Sequence, residues 1–103
     1  AREVLENVPA PIIGLDAGGL IAFVNRDAET LLPGGEALLG REAHDALPNE
    51  LCEIWRRRDG VQRRVDIGGR GFRAVCRPMG TAARAQGSLL VITPEDLAFQ
   101  PAV

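Results

Sequence analysis

Few side chains in this sequence have the chemistry to catalyse, and their spacing limits each of them. His44 is the single histidine, hence the one imidazole offered to a metal or haem. No second His or Cys stands near it at the spacing of a ligand set, so an exposed or helix-capping role is expected and no metal site. The thiols are Cys52 and Cys76. Cys52 lies beside Glu53 and close to Ile54-Trp55, with Arg56 one helical turn away and nothing basic adjoining it directly. Both cysteines sit among apolar or strand-forming neighbours, where a thiol behaves as a small hydrophobe. Buried thiols are therefore expected in preference to a disulfide or a reactive thiolate. The pairs Gly18-Gly19, Gly34-Gly35 and Gly68-Gly69 lack the Lys and Ser or Thr of a phosphate loop, so nucleotide hydrolysis has no support. No Ser-His-Asp arrangement is evident either. No catalytic residue is expected; a small enzyme built on Cys52 or His44 would need a depressed thiol pKa and is the weakest reading.

Arginine and asparagine offer binding rather than catalysis. Arg56-Arg57-Arg58, supplemented by Arg63 and Arg64, admits two readings. Guanidinium forks suit a carboxylate or phosphate ligand. A solvated basic helix end, favoured by the helix dipole, is the simpler reading and is preferred. Asn25 is expected to cap a helix, with a hydrogen bond to a ligand at a pocket rim as a second role. A net charge of −2 argues against nucleic acid as a partner, because it leaves little basic surface for phosphates.

The elements that must position these residues follow from local pattern. Arg2 to Asn7 predicts a short helix with Val4, Leu5 and Val8 along an apolar edge. Pro9 and Pro11 force extended backbone. Pro11 to Asp16 and Leu20 to Asn25 read as strands joined by the Ala17-Gly18-Gly19 turn, an antiparallel hairpin. Arg26 to Leu32 predicts a helix that Pro33-Gly34-Gly35 stops, and Glu36 to Leu39 a further helical turn ended by Gly40. Pro48 to about Arg57 predicts a third helix, with Leu47, Leu51, Ile54 and Trp55 on one face. Val61, Arg63, Val65 and Ile67 alternate with polar residues, Gly68 to Gly71 turn, and Phe72 to Arg77 alternate again. Arg73 and Arg77 then fall on the face opposite Phe72, Ala74 and Cys76. Gly80 to Gln86 reads as a loop, Ser88 to Ile92 as a central strand, and Pro94 as its end.

At 103 residues the chain suits a single domain. It is 46% hydrophobic and 25% charged, as a folded globular domain is. Three Phe, one Trp and no Tyr leave the core to Leu, Val, Ile and Ala. No apolar run approaches the roughly 20 residues that span a bilayer, so no membrane insertion is expected. The missing initiator Met suggests a piece of a longer chain, and the thiols suggest a reducing cytoplasm. Two strands, several short helices and three strands predict an α+β fold, one antiparallel sheet with helices on one face.

That order resembles the PAS family over nearly the whole chain. The resemblance rests on Val4-Leu5-Glu6-Asn7-Val8-Pro9-Ala10-Pro11-Ile12-Ile13, on Asp16 to Ile21 running through Val24-Asn25 and Ala28, and on Leu38-Leu39-Gly40-Arg41. It implies a five-stranded sheet in the order 2-1-5-4-3 with short helices packed on one face. It divides the chain into a lead-in helix over residues 1–8, a sensory domain over 9–93, and the start of a linker over 94–103 to an output domain on the same protein. Homodimers would form through Val4, Leu5 and Val8. The family often ends its last strand with Asp, a small apolar residue and Thr; the Asp is absent here, which puts the usual salt-bridge latch at that exit in doubt.

The resemblance also implies a pocket between sheet and helices. Its candidates are Ile13, Leu15, Phe23, Asn25, Leu31 and Leu47, with Leu51, Trp55, Phe72, Ala74, Leu90 and Ile92. The apolar ones are equally expected core residues, so a solid core and a small-ligand site stay open. His44 does not match the family's haem position, which falls later on the central helix. Gly40-Arg41-Glu42-Ala43 puts Ala43 where a flavin-reactive thiol would stand, so neither haem nor a covalent flavin adduct is expected. The function implied is a cytoplasmic regulatory module, in a protein that is itself free to be membrane-anchored. A sensor histidine kinase of bacterial two-component type ranks first. The alternative is a protein-interaction domain with a filled core and no ligand, from an enhancer-binding regulator or cyclic-dinucleotide enzyme.

Overall fold

The computed structural model describes residues 10–79 and 87–95. The expected lead-in helix with Val4, Leu5 and Val8, the loop over 80–86 and the linker beyond Glu95 lie outside the described residues. Strands β1 (Ile12–Leu15) and β2 (Ile21–Val24) form the expected hairpin. Asp16 shapes its turn, one carboxylate oxygen accepting the Gly18 and Leu20 amides at 2.9 Å each. Gly19 follows at φ +96°, and a Cβ there would stand 2.9 Å from Trp55 Cη2. Only glycine satisfies both the left-handed backbone and the ring beside it.

Helix α1 (Arg26–Leu31) starts at Asn25, whose side-chain oxygen accepts from the Ala28 amide at 2.9 Å. A 3-10 turn covers Gly35–Leu38. Helix α2 (Ala43–Ala46), a turn that the sequence pattern does not announce, leads to α3 (Asn49–Arg57). Leu51, Cys52 and Ile54 are buried on α3, and Leu47 and Trp55 pack with them, as the spacing predicts. The helix ends where Arg58 turns left-handed at φ 42°, its guanidinium 5.2 Å from the Trp55 ring centre.

Strands β3 (Arg63–Ile67), β4 (Arg70–Pro78) and β5 (Ser88–Pro94) complete one antiparallel sheet in the order β2-β1-β5-β4-β3. Gly68 and Gly69 join β3 to β4 with positive φ at both central positions of a two-residue turn. Phe72, Ala74 and Cys76 are buried while Arg73 is half-buried and Arg77 exposed, which is the predicted alternation. Ser88, Leu90 and Ile92 of central β5 are buried on the same side. That side carries Ala28, Leu32, Leu38 and Ala43 with the apolar face of α3, forming one continuous core.

Three expectations need correction. Val61 stands outside β3 and is 48% exposed, because Asp59 holds its amide in a turn before the strand begins. Leu20 makes only an isolated bridge to Glu42 and is exposed. Phe23 is half-buried and outside the core cluster. The register runs Ile13↔Val24, Gly14↔Phe23, Leu15↔Ile21, so Ala22 is an extra residue that inverts the alternation. Val24 thereby takes the inner side, and Phe23 turns to the outer one.

Candidate functional site

Most of the residues expected around a central pocket belong to the core. Ile13, Leu15, Leu47, Leu51, Phe72, Ala74, Leu90 and Ile92 are each no more than 5% exposed and pack together. Leu31 and Trp55 close against them, half-buried. Asn25 is fully buried and engaged by the fold: its oxygen also accepts from the Ile12 amide at 2.9 Å, and its nitrogen donates to the Ala10 carbonyl at 2.8 Å. It therefore ties the start of β1 to the start of α1.

One groove lies at an end of the sheet. With a volume of about 310 Å³, it runs where the beginnings of β1 and β4 and the end of β5 meet α1. Pro11, Arg70, Phe72 and Pro94 line it from the sheet, and Asp27, Thr30 and Leu31 from the helix. Of the residues expected around a pocket, only Leu31 and Phe72 reach it. The Arg70 guanidinium lies over the Phe72 ring, 5.1 Å from its centre, within cation–π range. Neither Arg70 nor Asp27 has an ion-pair partner among the described residues. The Thr30 hydroxyl donates to the Arg26 carbonyl at 3.1 Å and keeps acceptor capacity.

The groove borders the exit of the chain from the sheet. Pro94 lines it, and the next residue, Glu95, accepts both of its contacts from Arg64 Nε, at 3.2 and 3.1 Å. An ion pair thus stands at the exit.

A second cleft, of about 240 Å³, lies between α3 and the β3 edge, lined in part by Arg57, Arg63, Arg64, Glu50 and Glu53. This is where the arginine run would bind an anion. Its charges are largely matched already: Arg63 pairs with Asp59 at 2.9 Å, Arg64 with Glu95 and Asp66, and Arg56 with Glu53 at 2.8 Å. Glu50 accepts the Asp66 amide at 2.8 Å, joining α3 to β3.

The remaining reactive groups are placed as follows. His44 is exposed on α2, with Nδ1 3.5 Å from Glu42 and Nε2 3.3 Å from Asp45, all solvent-facing. Burial pushes the Cys52 thiol up, against a smaller pull from Arg56, and the thiol donates to the Ala43 and Leu47 carbonyls at 3.2 and 3.5 Å. Burial likewise raises Cys76, the nearby Ser88 hydroxyl working against it. A nucleophilic thiol needs the opposite shift.

No family model matches this chain, and no curated protein sequence matches it. Solved structures do. The PAS domain of the histidine kinase ThkA is similar at a TM-score of 0.64 and 26% identity, over 82% of this chain and 97% of that one. A domain of an HTR-like protein from Haloarcula marismortui is similar at 0.64 and 20% identity, over 84% and 98%. A sensory box sensor histidine kinase from Vibrio cholerae is similar at 0.65 and 13% identity, over 89% and 86%. With its five antiparallel strands in the order 2-1-5-4-3, its short helices and these likenesses, the chain has the PAS fold.

Proposed function

We propose that this chain is the sensory PAS module of a larger signal-transduction protein, a sensor histidine kinase before other classes, and that it works as a homodimer in the cytoplasm. The observation that carries the reading is the shared wall between groove and exit: Pro94 lines the groove, and Glu95, its neighbour, is clamped by Arg64. A ligand that binds one arrangement of this end better than another shifts the population of both. The strand exit then passes that shift to whatever follows it. No described helix is long and apolar enough to cross a membrane.

The test is to fill the groove without a ligand. Thr30→Trp, at an exposed helix position, places a ring there, and amide hydrogen exchange is followed along β5 in the 103-residue chain. Altered exchange from Val91 to Glu95 supports the coupling; unchanged exchange there overturns it. The filled inner core favours a second reading, a protein-interaction module without a small ligand. Native mass spectrometry separates the two, because a dimer with a retained small mass supports the first and a dimer without added mass the second.

A further inference from the structure

We infer that the groove takes a small zwitterion with an apolar body, of the chemical class of a free aliphatic amino acid; this rests on the sensory reading above. Size comes first. A volume of about 310 Å³ stands at the small end of the roughly 300–1,000 Å³ common for ligand pockets, which favours a small ligand. Lining comes second. Leu31, Phe72, Pro11 and Pro94 supply apolar walls from the helix and from the sheet. Phe72 is 2% exposed, so it bounds the groove from the core side as a fixed floor, and most of the apolar contact falls to Leu31, Pro11 and Pro94.

Charge decides between ligand types. Arg70 brings a guanidinium with five donors and Asp27 a carboxylate, and no described group neutralises either. Arg70 is also steadied on the Phe72 ring, which fixes where its donors stand. A purely anionic ligand would gain Arg70 and face Asp27. A purely cationic one would gain Asp27 and face Arg70. A ligand carrying both an ammonium and a carboxylate satisfies the two walls at once, and this discrimination comes from repulsion as much as from attraction. Thr30, with acceptor capacity on its hydroxyl, adds a second acceptor for the ammonium on the Asp27 side of the groove.

The probes are L-leucine, 4-methylpentanoate, which lacks the amine, and 3-methylbutylamine, which lacks the carboxylate. Each is titrated into the 103-residue chain and followed by amide NMR shifts. Leucine is expected to move signals of Asp27, Leu31, Arg70 and Phe72, and the truncated probes to bind at least about tenfold more weakly, one charge-assisted hydrogen bond being lost in each. Arg70→Gln and Asp27→Asn, both at exposed positions, should each weaken leucine by about the same factor. Arg70→Lys should restore part of the loss. Equal binding of all three probes, indifference to both variants, or no shift of groove signals at tens of millimolar would overturn the assignment. If Thr30→Trp still alters exchange at Glu95 while leucine fails to bind, the ligand class is wrong and the sensory reading stands. If both fail, both are wrong.

Discussion

Arg64 on β3 and Glu95 just beyond β5 meet across the strand between them, directly over Gly71 of β4. Arg64 Nε lies 3.2 and 3.1 Å from the two carboxylate oxygens, and the partners are 31 residues apart in sequence. A Cβ on Gly71 would stand 2.6 Å from Glu95 Oε1 and 2.9 Å from Arg64 Nη2. The absence of a side chain at residue 71 is what lets the pair close. Gly71 thus serves the exit of the chain rather than a turn.

Gly71→Ala should therefore open the pair without unfolding the sheet. Half-exposed ion pairs contribute about 0–1 kcal/mol, so the melting temperature should move little. Hydrogen exchange at Thr93 and Glu95 should accelerate instead, and Arg64→Gln or Glu95→Gln should reproduce the effect. Salt should mimic all three, since screening weakens an exposed pair. Identical exchange in Gly71→Ala and the parent at low salt would mean that the pair does not hold the exit.

Asn25 should be the costliest polar residue to remove. Its oxygen accepts two buried amides, from Ile12 and Ala28, and its nitrogen donates to the Ala10 carbonyl. Losing a helix cap costs about 0.5–2 kcal/mol, and each buried donor left without a partner adds about 1–3 kcal/mol. Asn25→Ala is expected to lose about 2–4 kcal/mol in urea titration with an unchanged slope. A loss under 1 kcal/mol would show that water replaces the side chain at both amides.

Much of this architecture is legible in local pattern. The hairpin, the Asn25 cap, the apolar face of α3 and the central place of Ser88 to Ile92 each depend on residues close in sequence or on one strong periodicity. The groove is not, because its walls come from Pro11, Asp27, Arg70 and Pro94, which only the sheet order brings together. Hydrophobic periodicity marks burial, and burial in a close-packed interior marks filled space rather than a void. The residues expected around a pocket, equally expected as core, lie mostly in the core cluster, and Leu31 and Phe72 also line the groove. Phe23 was misplaced for a different reason: the extra residue Ala22 breaks a strict two-residue alternation that sequence alone takes as continuous.

Asp59 gives the fold a defined acid sensitivity. Hydrogen bonds from Arg63 to both carboxylate oxygens, with the Val61 amide as a further donor, lower its pKa from 3.8 to about 2. A carboxylate with a depressed native pKa stabilises the fold above its ordinary value, and that contribution disappears as pH falls from 3.8 to about 2. Asp59→Asn should remove this part of the pH dependence and leave stability at neutral pH slightly lower. The check is urea titration of both proteins at several pH values within that window, with a carboxyl NMR titration of Asp59. Parallel stability curves for the two proteins would show that the pair does not persist in solution.

The two thiols should be slow to react. Burial raises the pKa of both Cys52 and Cys76, so little thiolate forms at pH 8, and the sulfurs are enclosed besides. Modification then waits on opening of the core around α3 and β4, and its rate follows that equilibrium. Ellman's reagent should react at least about tenfold more slowly with the native protein than with the protein in urea, for both cysteines. Cys52→Ala should leave the Cys76 rate within a few-fold of the parent, unless loss of the bonds to the Ala43 and Leu47 carbonyls loosens the shared core. Fast labelling of either cysteine in the folded protein would contradict the closed core, and would reopen that residue as a site of chemistry.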